Sequence, residues 1–212
     1  MVNPLVKVDR LNVLFELSLI NSPNETIYDS VTVFAGKVIG TPVSLVSMVA
    51  DNYQYFKSEV GLPEPYKTKR RTPFSHSFCK HVVADNAPLI VTDARENDLV
   101  KHNLAIRDLD VIGYLGIPLT LSDGMSLGSL CVIDTDVREW TQVEIDIMTE
   151  LAQIVIKEFD MRVEVKKKKA SKENLVALQE RIMQFLNAID ANQSKSSILE
   201  QIRTQRDTFN LV

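Results

Sequence analysis

Two apolar, β-branched runs joined by Ser122-Asp123-Gly124 fill Val111–Asp134 (VIGYLGIPLTLSDGMSLGSLCVID), and no other stretch narrows the fold as far. Asp-Gly between such runs is the strongest short-range hairpin signal, because glycine accepts the positive φ of a tight turn. Val111–Leu121 and Met125–Ile133 are almost without charge. Strands apolar on both faces are buried on both faces, so the hairpin is expected at the centre of a sheet covered by helices. Gly116, Pro118 and Gly128 interrupt it. Glycine inside a strand marks a bulge or a close approach by a ligand or another backbone.

The chain before this hairpin alternates helix and strand signals. Val8, Leu11, Phe15 and Leu19 share a helical spacing across Val8–Ile20. Ser22-Pro23-Asn24-Glu25 reads as a capping box with proline at the first helical position. Ile27, Val31, Phe34 and Val38 then fall on one helical face, and Gly40 is a natural stop. Val43–Ala50 and Tyr53–Val60 are predicted strands around an Asp51-Asn52 turn. Gly61–Pro73 reads as a loop with three prolines and a basic cluster, Lys67, Lys69, Arg70 and Arg71. A solvated loop accounts for that cluster more simply than a lid drawing in an anionic ligand. Ser75–Ala84 is a predicted short helix with Phe78, Cys79 and Val82 inward, and Leu89–Thr92 a short strand. Asp93–Asp110 is polar and loop-like, with one or two helical turns.

After the central hairpin, Thr141-Gln142-Val143-Glu144 is a second capping box, which opens a long helix. Ile147 or Met148, Leu151, Val155 and Phe159 make its buried stripe. Lys166–Lys169 interrupts the pattern without a helix breaker. The pattern resumes at Leu175, Leu178, Ile182, Phe185 and Ile189, an a/d seam of roughly two heptads. Ser194–Ser197 marks a break before a last helical piece, Ile198–Phe209. Helices, hairpin, helix, hairpin and helix in that order indicate an α+β fold with an antiparallel sheet and segregated helices.

Three pieces resemble one family: YLGIPLTLSDGMSLGSLCVID, YQYFKSEVGL (Tyr53–Leu62) and SFCKHVVADNAPLIVTDARENDLVKHN (Ser77–Asn103). In this order and spacing they are similar to the GAF domain, a small-molecule sensor module of bacterial signalling proteins found with histidine kinases and diguanylate cyclases. The resemblance spans about Asp9–Asp160. It implies a GAF/PAS-like antiparallel sheet of five or six strands with helices on both faces. Residues 1–162 would form this domain and residues 163–212 a helical, coiled-coil-like extension. It also implies a homodimer through the first and last helices, and a pocket under the short helices and loops.

Composition removes several classes of function. A net charge of −4 gives no global pull toward nucleic acid or anionic lipid. The bland reading of Lys166–Lys169, a solvated helix face, is preferred to nucleic-acid binding because no aromatic or basic surface continues it. No apolar run is long enough to span a membrane, and the N-terminus lacks an apolar signal core, so the expected location is the cytoplasm. Cys79 and Cys131 form no CxxC pattern, which argues against a disulfide framework or a zinc site. Both read as small apolar filler. His76, His81 and His102 have poor spacing for a shared metal, and none is assigned. Neither a dinucleotide nor a Walker motif occurs. The Asn-Lys-Phe-Asp-Glu signature of cyclic-nucleotide-binding GAF domains is missing. Cys79-Lys80-His81 only loosely imitates a bilin attachment site and lies too early in the domain. No cofactor is assigned.

A pocket binder remains. Such pockets are mostly apolar with a few placed polar groups. The expected wall is Phe56 and Ser58 from the second strand, Phe78 and Cys79 from the short helix, Asp93 after the third strand, and Tyr114, Gly116 and Pro118 from the central hairpin. For each apolar member ordinary core packing is an equal claim, and Asp93 could instead cap Asp93–Glu96. The expected function is a non-enzymatic sensor whose ligand biases the terminal helices, read by a signalling protein. Two alternatives stay open. One is a thiol-dependent free methionine-R-sulfoxide reductase, although Cys79 and Cys131 do not match that branch's cysteine set. The other is a purely structural dimerisation module.

Overall fold

A computed structural model describes residues 4–190. In chain order the elements are α1 (Val8–Glu16), α2 (Thr26–Ile39), β1 (Val43–Val49), β2 (Tyr53–Val60), α3 (Tyr66–Lys69) and β3 (Arg71–Pro73). Then come α4 (Cys79–Asp85), β4 (Leu89–Val91), α5 (Ala105–Leu109), β5 (Gly113–Thr120), β6 (Ser126–Asp134) and α6 (Gln142–Asp190). The strands form one antiparallel sheet in the order β3-β2-β1-β6-β5-β4. The second hairpin lies inside the sheet, as its two-sided apolarity requires, and Gly124 turns it at φ 88°. Pro118 is tolerated because β4 pairs only with Tyr114–Gly116, so β5 has no ladder on that side at Pro118.

One face of the sheet carries α2, on which α6 packs. The Tyr28 and Phe159 rings lie 5.7 Å apart there. The other face carries α4 and the loops. The long-helix stripe is buried at Met148, Leu151, Val155 and Phe159. The Thr141 box is closed in both directions: the Thr141 N–H donates to Glu144 Oε2 at 2.8 Å, and the Glu144 N–H donates to Thr141 Oγ1 at 3.2 Å.

Three sequence expectations need correction. The Ser22–Glu25 box does not cap α2. The helix starts at Thr26 and Glu25 makes no side-chain cap bond. Instead the Ser22 hydroxyl accepts from Lys57 Nζ at 2.7 Å, and Glu25 pairs with Lys57 at 2.5 Å and also with Arg162. A buried ammonium outbids a helix end for a carboxylate, because its desolvation is the larger cost.

The apolar faces of α1 and α2 are also reversed. Val8, Phe15, Ile27, Phe34 and Val38 are exposed, while Arg10, Leu14, Tyr28, Thr32, Ala35 and Ile39 are buried. Arg10 is sequestered because it closes backbone carbonyls. It donates to Val49 at 2.5 Å, to Ala50 at 3.0 Å and to Leu5. Burial pulls its guanidinium down to about 10.

The proline-rich loop holds α3 and β3, and its basic cluster is divided. Arg70 spans the Phe56, Ser22 and Lys57 carbonyls at 3.2, 2.9 and 2.7 Å, whereas Lys67, Lys69 and Arg71 are exposed.

Residue contacts gather the chain into two units that divide between Arg162 and Val163. In the second unit Lys166–Lys169 lies within unbroken helix, and Leu175, Leu178 and Ile182 are exposed. The side chains of Phe185 and Ile189 are outside the described set, as are Ser194–Ser197 and Ile198–Phe209. Among the described residues no helix is long and apolar enough to cross a membrane.

Candidate functional site

The face of the sheet under α4 encloses a small cavity. Phe56, Phe78, Cys79, Tyr114, Cys131 and Ile133 line it, with Val43, Leu45, Gln54, Leu62, Val111 and Ala105. Pro63, His76 and Leu109 complete the lining, and Pro63 is exposed to solvent. The space open to the centre of a water molecule is about 30 Å³. One water needs roughly 10–15 Å³ on that measure, so the cavity seats one or two waters. A drug-sized molecule does not fit without displacement of its cover, Leu62-Pro63 and α5.

Four of the eight expected wall residues meet here: Phe56, Phe78, Cys79 and Tyr114. The other four do not line the cavity, each for a different reason. Ser58 points to the opposite face and donates to Asp29 Oδ1 at 2.7 Å. Strand alternation places it with Phe56, but the register shifts between Val46 and Ser47. Phe56 therefore pairs with Ser47 and Ser58 with Val46, and Lys57 is the bulged residue. A bulge reverses every later side chain.

Asp93 folds back on its own turn, accepting from the Arg95 N–H at 3.0 Å and from Arg95 Nη2 at 2.6 Å. Arg95 holds its carboxyl below the ordinary value. The local-turn alternative describes Asp93, not the pocket one. Pro118 sits half-buried opposite Ser129, further along β5. Gly116 lies on the cavity face but under the Tyr114 ring, where a Cβ would fall 2.3 Å from Tyr114 Oη. It makes room for the phenol and forms no part of the wall.

That space lets Tyr114 lie along its strand, 5.2 Å from the Phe78 ring, with its hydroxyl 3.3 Å from Cys79 Sγ. Cys131 Sγ is 3.8 Å from Cys79 Sγ. Both thiols are buried. The two sulfurs shift in opposite directions. The Cys131 thiol, the Tyr114 hydroxyl and the hydroxyls of Ser47 and Ser129 hold Cys79 below its ordinary value, against burial. The Cys79 sulfur and burial push Cys131 up, and burial pushes Tyr114 up, so Tyr114 keeps its proton and donates. At the rim, His76 Nε2 is 3.0 Å from Asp108 Oδ2. Arg107 and then His76 hold the Asp108 carboxyl down at about 2. His81 lies on α4 and His102 in an exposed turn, neither lining the cavity with His76.

Sequence reasoning omitted Cys131, Ile133, Gln54, His76, Leu62, Pro63, Ala105 and Leu109 from this wall. Pairing opposite positions of the second hairpin finds the first two, since Cys131 faces Gly116 and Ile133 faces Tyr114. Nothing in the local pattern announces the others.

The comparisons with known proteins follow this geometry. The family model described as GAF domain matches residues 23–158. A cyclic di-GMP phosphodiesterase of Pseudomonas aeruginosa is 30% identical over 129 residues, covering 58% of this chain and 20% of its own. The chain thus spans a fifth of that relative. The blue-light absorbing form of the Thermosynechococcus elongatus PixJ GAF domain has a similar fold, with TM-score 0.54 and 19% identity. That match covers 80% of this chain and 98% of the other. A free methionine-R-sulfoxide reductase from Neisseria meningitidis, solved with its substrate, matches with TM-score 0.53 and 16% identity, covering 72% and 89% of the two chains.

Proposed function

The chain belongs to the GAF domain family, and on that premise we propose that it is a regulatory sensor module. A small ligand in the α4-side cavity would bias the terminal helices, and a signalling protein would read the result. The observation that carries this reading is the cavity itself: apolar walls with Gln54, His76 and Tyr114 as placed polar groups. The ligand is a small molecule with an apolar body and one or two polar groups. Its binding needs Leu62-Pro63 and α5 to move outward, a shift driven by the difference in affinity between the closed and opened states. The module comprises residues 1–162, and residues 163–212 form a helical extension. The chain acts as a homodimer. In support, α1 and α2 leave Val8, Phe15, Ile27, Phe34 and Val38 exposed, and α6 leaves Ile154 and Met161 exposed. The matched part of the Pseudomonas relative suggests an output through cyclic-dinucleotide turnover.

A thermal-shift screen with amino acids, nucleobases, nucleotides and cyclic dinucleotides tests the reading. A true ligand at a hundred times its Kd adds about 2.7 kcal/mol, which raises Tm by about 5–10 °C for a domain of this size. A flat screen, with no small molecule retained in native mass spectrometry, favours the structural dimerisation module instead. The 30 Å³ volume is the observation on that side. We place the sulfoxide reductase third, because a free amino-acid substrate needs more room beside Cys79 than the closed cavity gives.

A further inference from the structure

Two thiols and a phenol meet at the floor of the cavity, and the sensor reading uses only one of the three as a polar contact. Cys79 Sγ and Cys131 Sγ are in van der Waals contact at 3.8 Å, although their residues are far apart in sequence. The Tyr114 hydroxyl lies 3.3 Å from Cys79 Sγ. Buried cysteines are ordinarily inert because no oxidant reaches them. Here both sulfurs line a space that seats one or two waters, and the exposed Pro63 lies on its wall.

We propose that Cys79 and Cys131 are a peroxide-oxidised dithiol site, in which a water-sized hydroperoxide enters the cavity and leaves the two residues joined as a disulfide. Hydrogen peroxide spans two heavy atoms and matches the volume. An alkyl hydroperoxide with a bulky tail does not.

In the first step the Cys79 sulfur attacks one peroxide oxygen. An S–O bond forms, the O–O bond breaks, and the departing oxygen takes the proton released by Cys79 together with its own and leaves as water. Tyr114 donates to the reacting sulfur side of this site and relays that proton. Cys79 is then a sulfenic acid. In the second step Cys131 sulfur attacks Cys79 sulfur. The S–S bond forms, the S–O bond breaks, and hydroxide leaves with the Cys131 proton as a second water. The sulfur pair loses two electrons and the peroxide gains them. A dithiol reductant reverses the change by thiol–disulfide exchange.

The order of roles follows from the hydrogen bonds. Cys79 receives donors from Tyr114, Ser47, Ser129 and Cys131, which favour its thiolate, whereas Cys131 beside it is pushed the other way. Cys79 opens α4 and Cys131 lies mid-strand on central β6, so the bond would draw the helix onto the sheet and close the cavity floor. This site does not depend on any ligand being bound.

Full-length reduced protein, treated with equimolar hydrogen peroxide, alkylated and mapped by mass spectrometry, provides the test. The expected result is loss of both alkylatable thiols and of two hydrogens in mass, with the Cys79 and Cys131 peptides linked, and full recovery in dithiothreitol. In Cys131→Ser the reaction stops at a sulfenic acid on Cys79, trapped by dimedone. In Cys79→Ser the remaining thiol stays alkylatable. Cumene hydroperoxide leaves the wild type unchanged over the same period. Two free thiols after peroxide, or a Cys131 that oxidises at the wild-type rate in Cys79→Ser, overturns the proposal. Equal rates with the two peroxides overturn access through the cavity. Peptide mapping of the wild type decides the matter even if a serine variant fails to fold, and its outcome is independent of any ligand screen.

Discussion

The two faces of the sheet treat polar groups in opposite ways. Under α4, the polar atoms are neutral and weakly acidic, and they bond mainly to one another: two thiols, a phenol, and the Ser77 hydroxyl donating to Gln54 at 2.5 Å. Under α2, the sheet buries a full charge. Lys57 has a fully buried side chain, and its ammonium is shared among the Ser18 and Pro23 carbonyls, the Ser22 hydroxyl and Glu25. Arg162 of α6 grips the same carboxylate, and Tyr28 offers its ring to both cations at 5.6 and 5.4 Å. Neutral groups can part at the cost of a weak hydrogen bond each. A buried charge cannot lose its partner so lightly. The α4 face is thus the one built to open, and the α2 face the one built to hold. Phe56 and Lys57 are neighbours on β2 across the bulge, so the two regimes meet within one peptide unit.

The hardest blow to this contrast is Glu25→Ala. It strands the Lys57 ammonium and should lower the unfolding free energy by about 3 kcal/mol, measured in urea. A loss below about 1 kcal/mol, the scale of an exposed pair, would erase the distinction between the faces. The pH dependence sharpens the point. The Arg162 hydrogen bond, above all, holds the Glu25 carboxyl below its ordinary 4.5. A carboxyl depressed in the folded state stabilises fully above its unfolded value and loses that contribution as pH falls through the folded one. Wild-type stability should therefore fall below about pH 4.5, and Glu25→Ala should lack that part of the fall.

Gly116→Ala attacks the other face. The new methyl would meet Tyr114 Oη at 2.3 Å, so the ring must swing away from Cys79. Overpacking of this kind costs about 1–3 kcal/mol, less than the stranded charge because a side-chain end can yield. Thermal unfolding gives the magnitude. The same variant should make Cys79 less reactive toward iodoacetamide at neutral pH, through loss of the phenol donor. Unchanged stability and reactivity would show that Tyr114 does not organise the thiols.

The same contrast explains what the sequence revealed. The α4 face was largely legible: Phe56, Phe78, Cys79 and Tyr114 follow from strand alternation and the Ser75–Ala84 helix, because neutral groups obey the period of their element. The second hairpin and the Thr141 box are local signals, and local geometry satisfies them. The α2 face was misread for a physical reason. One buried ammonium recruits Ser22 and Glu25 away from capping α2, and it sits at the bulge that sends Ser58 to the wrong side. Arg10 does the same to α1, since closing the Val49 and Ala50 carbonyls requires its burial and leaves Val8 and Phe15 outward. Such decisions are made by partners some 30 to 40 residues away, and no window of periodicity contains them.

The smallest stability effect is expected at the outward stripe of α2, and it separates that stripe from both faces. Phe34 is 53% exposed, and Ile27 and Val38 fall on the same side seven residues before it and four after. Replacing Phe34 by Asp removes no buried contact within the chain, so unfolding of the isolated protomer should move by no more than about 0.5 kcal/mol. If the stripe is the dimer surface, the charge would be desolvated against a second apolar stripe, and light scattering should show protomers at concentrations where the wild type is dimeric. Unfolding should then lose its dependence on protein concentration, since association no longer stabilises the folded state. A variant that stays dimeric would move the interface off α2. A variant that loses stability at every dilution would mean that Phe34 supports the protomer's own packing, and the division into an opening face, a holding face and an outward stripe would have to be redrawn.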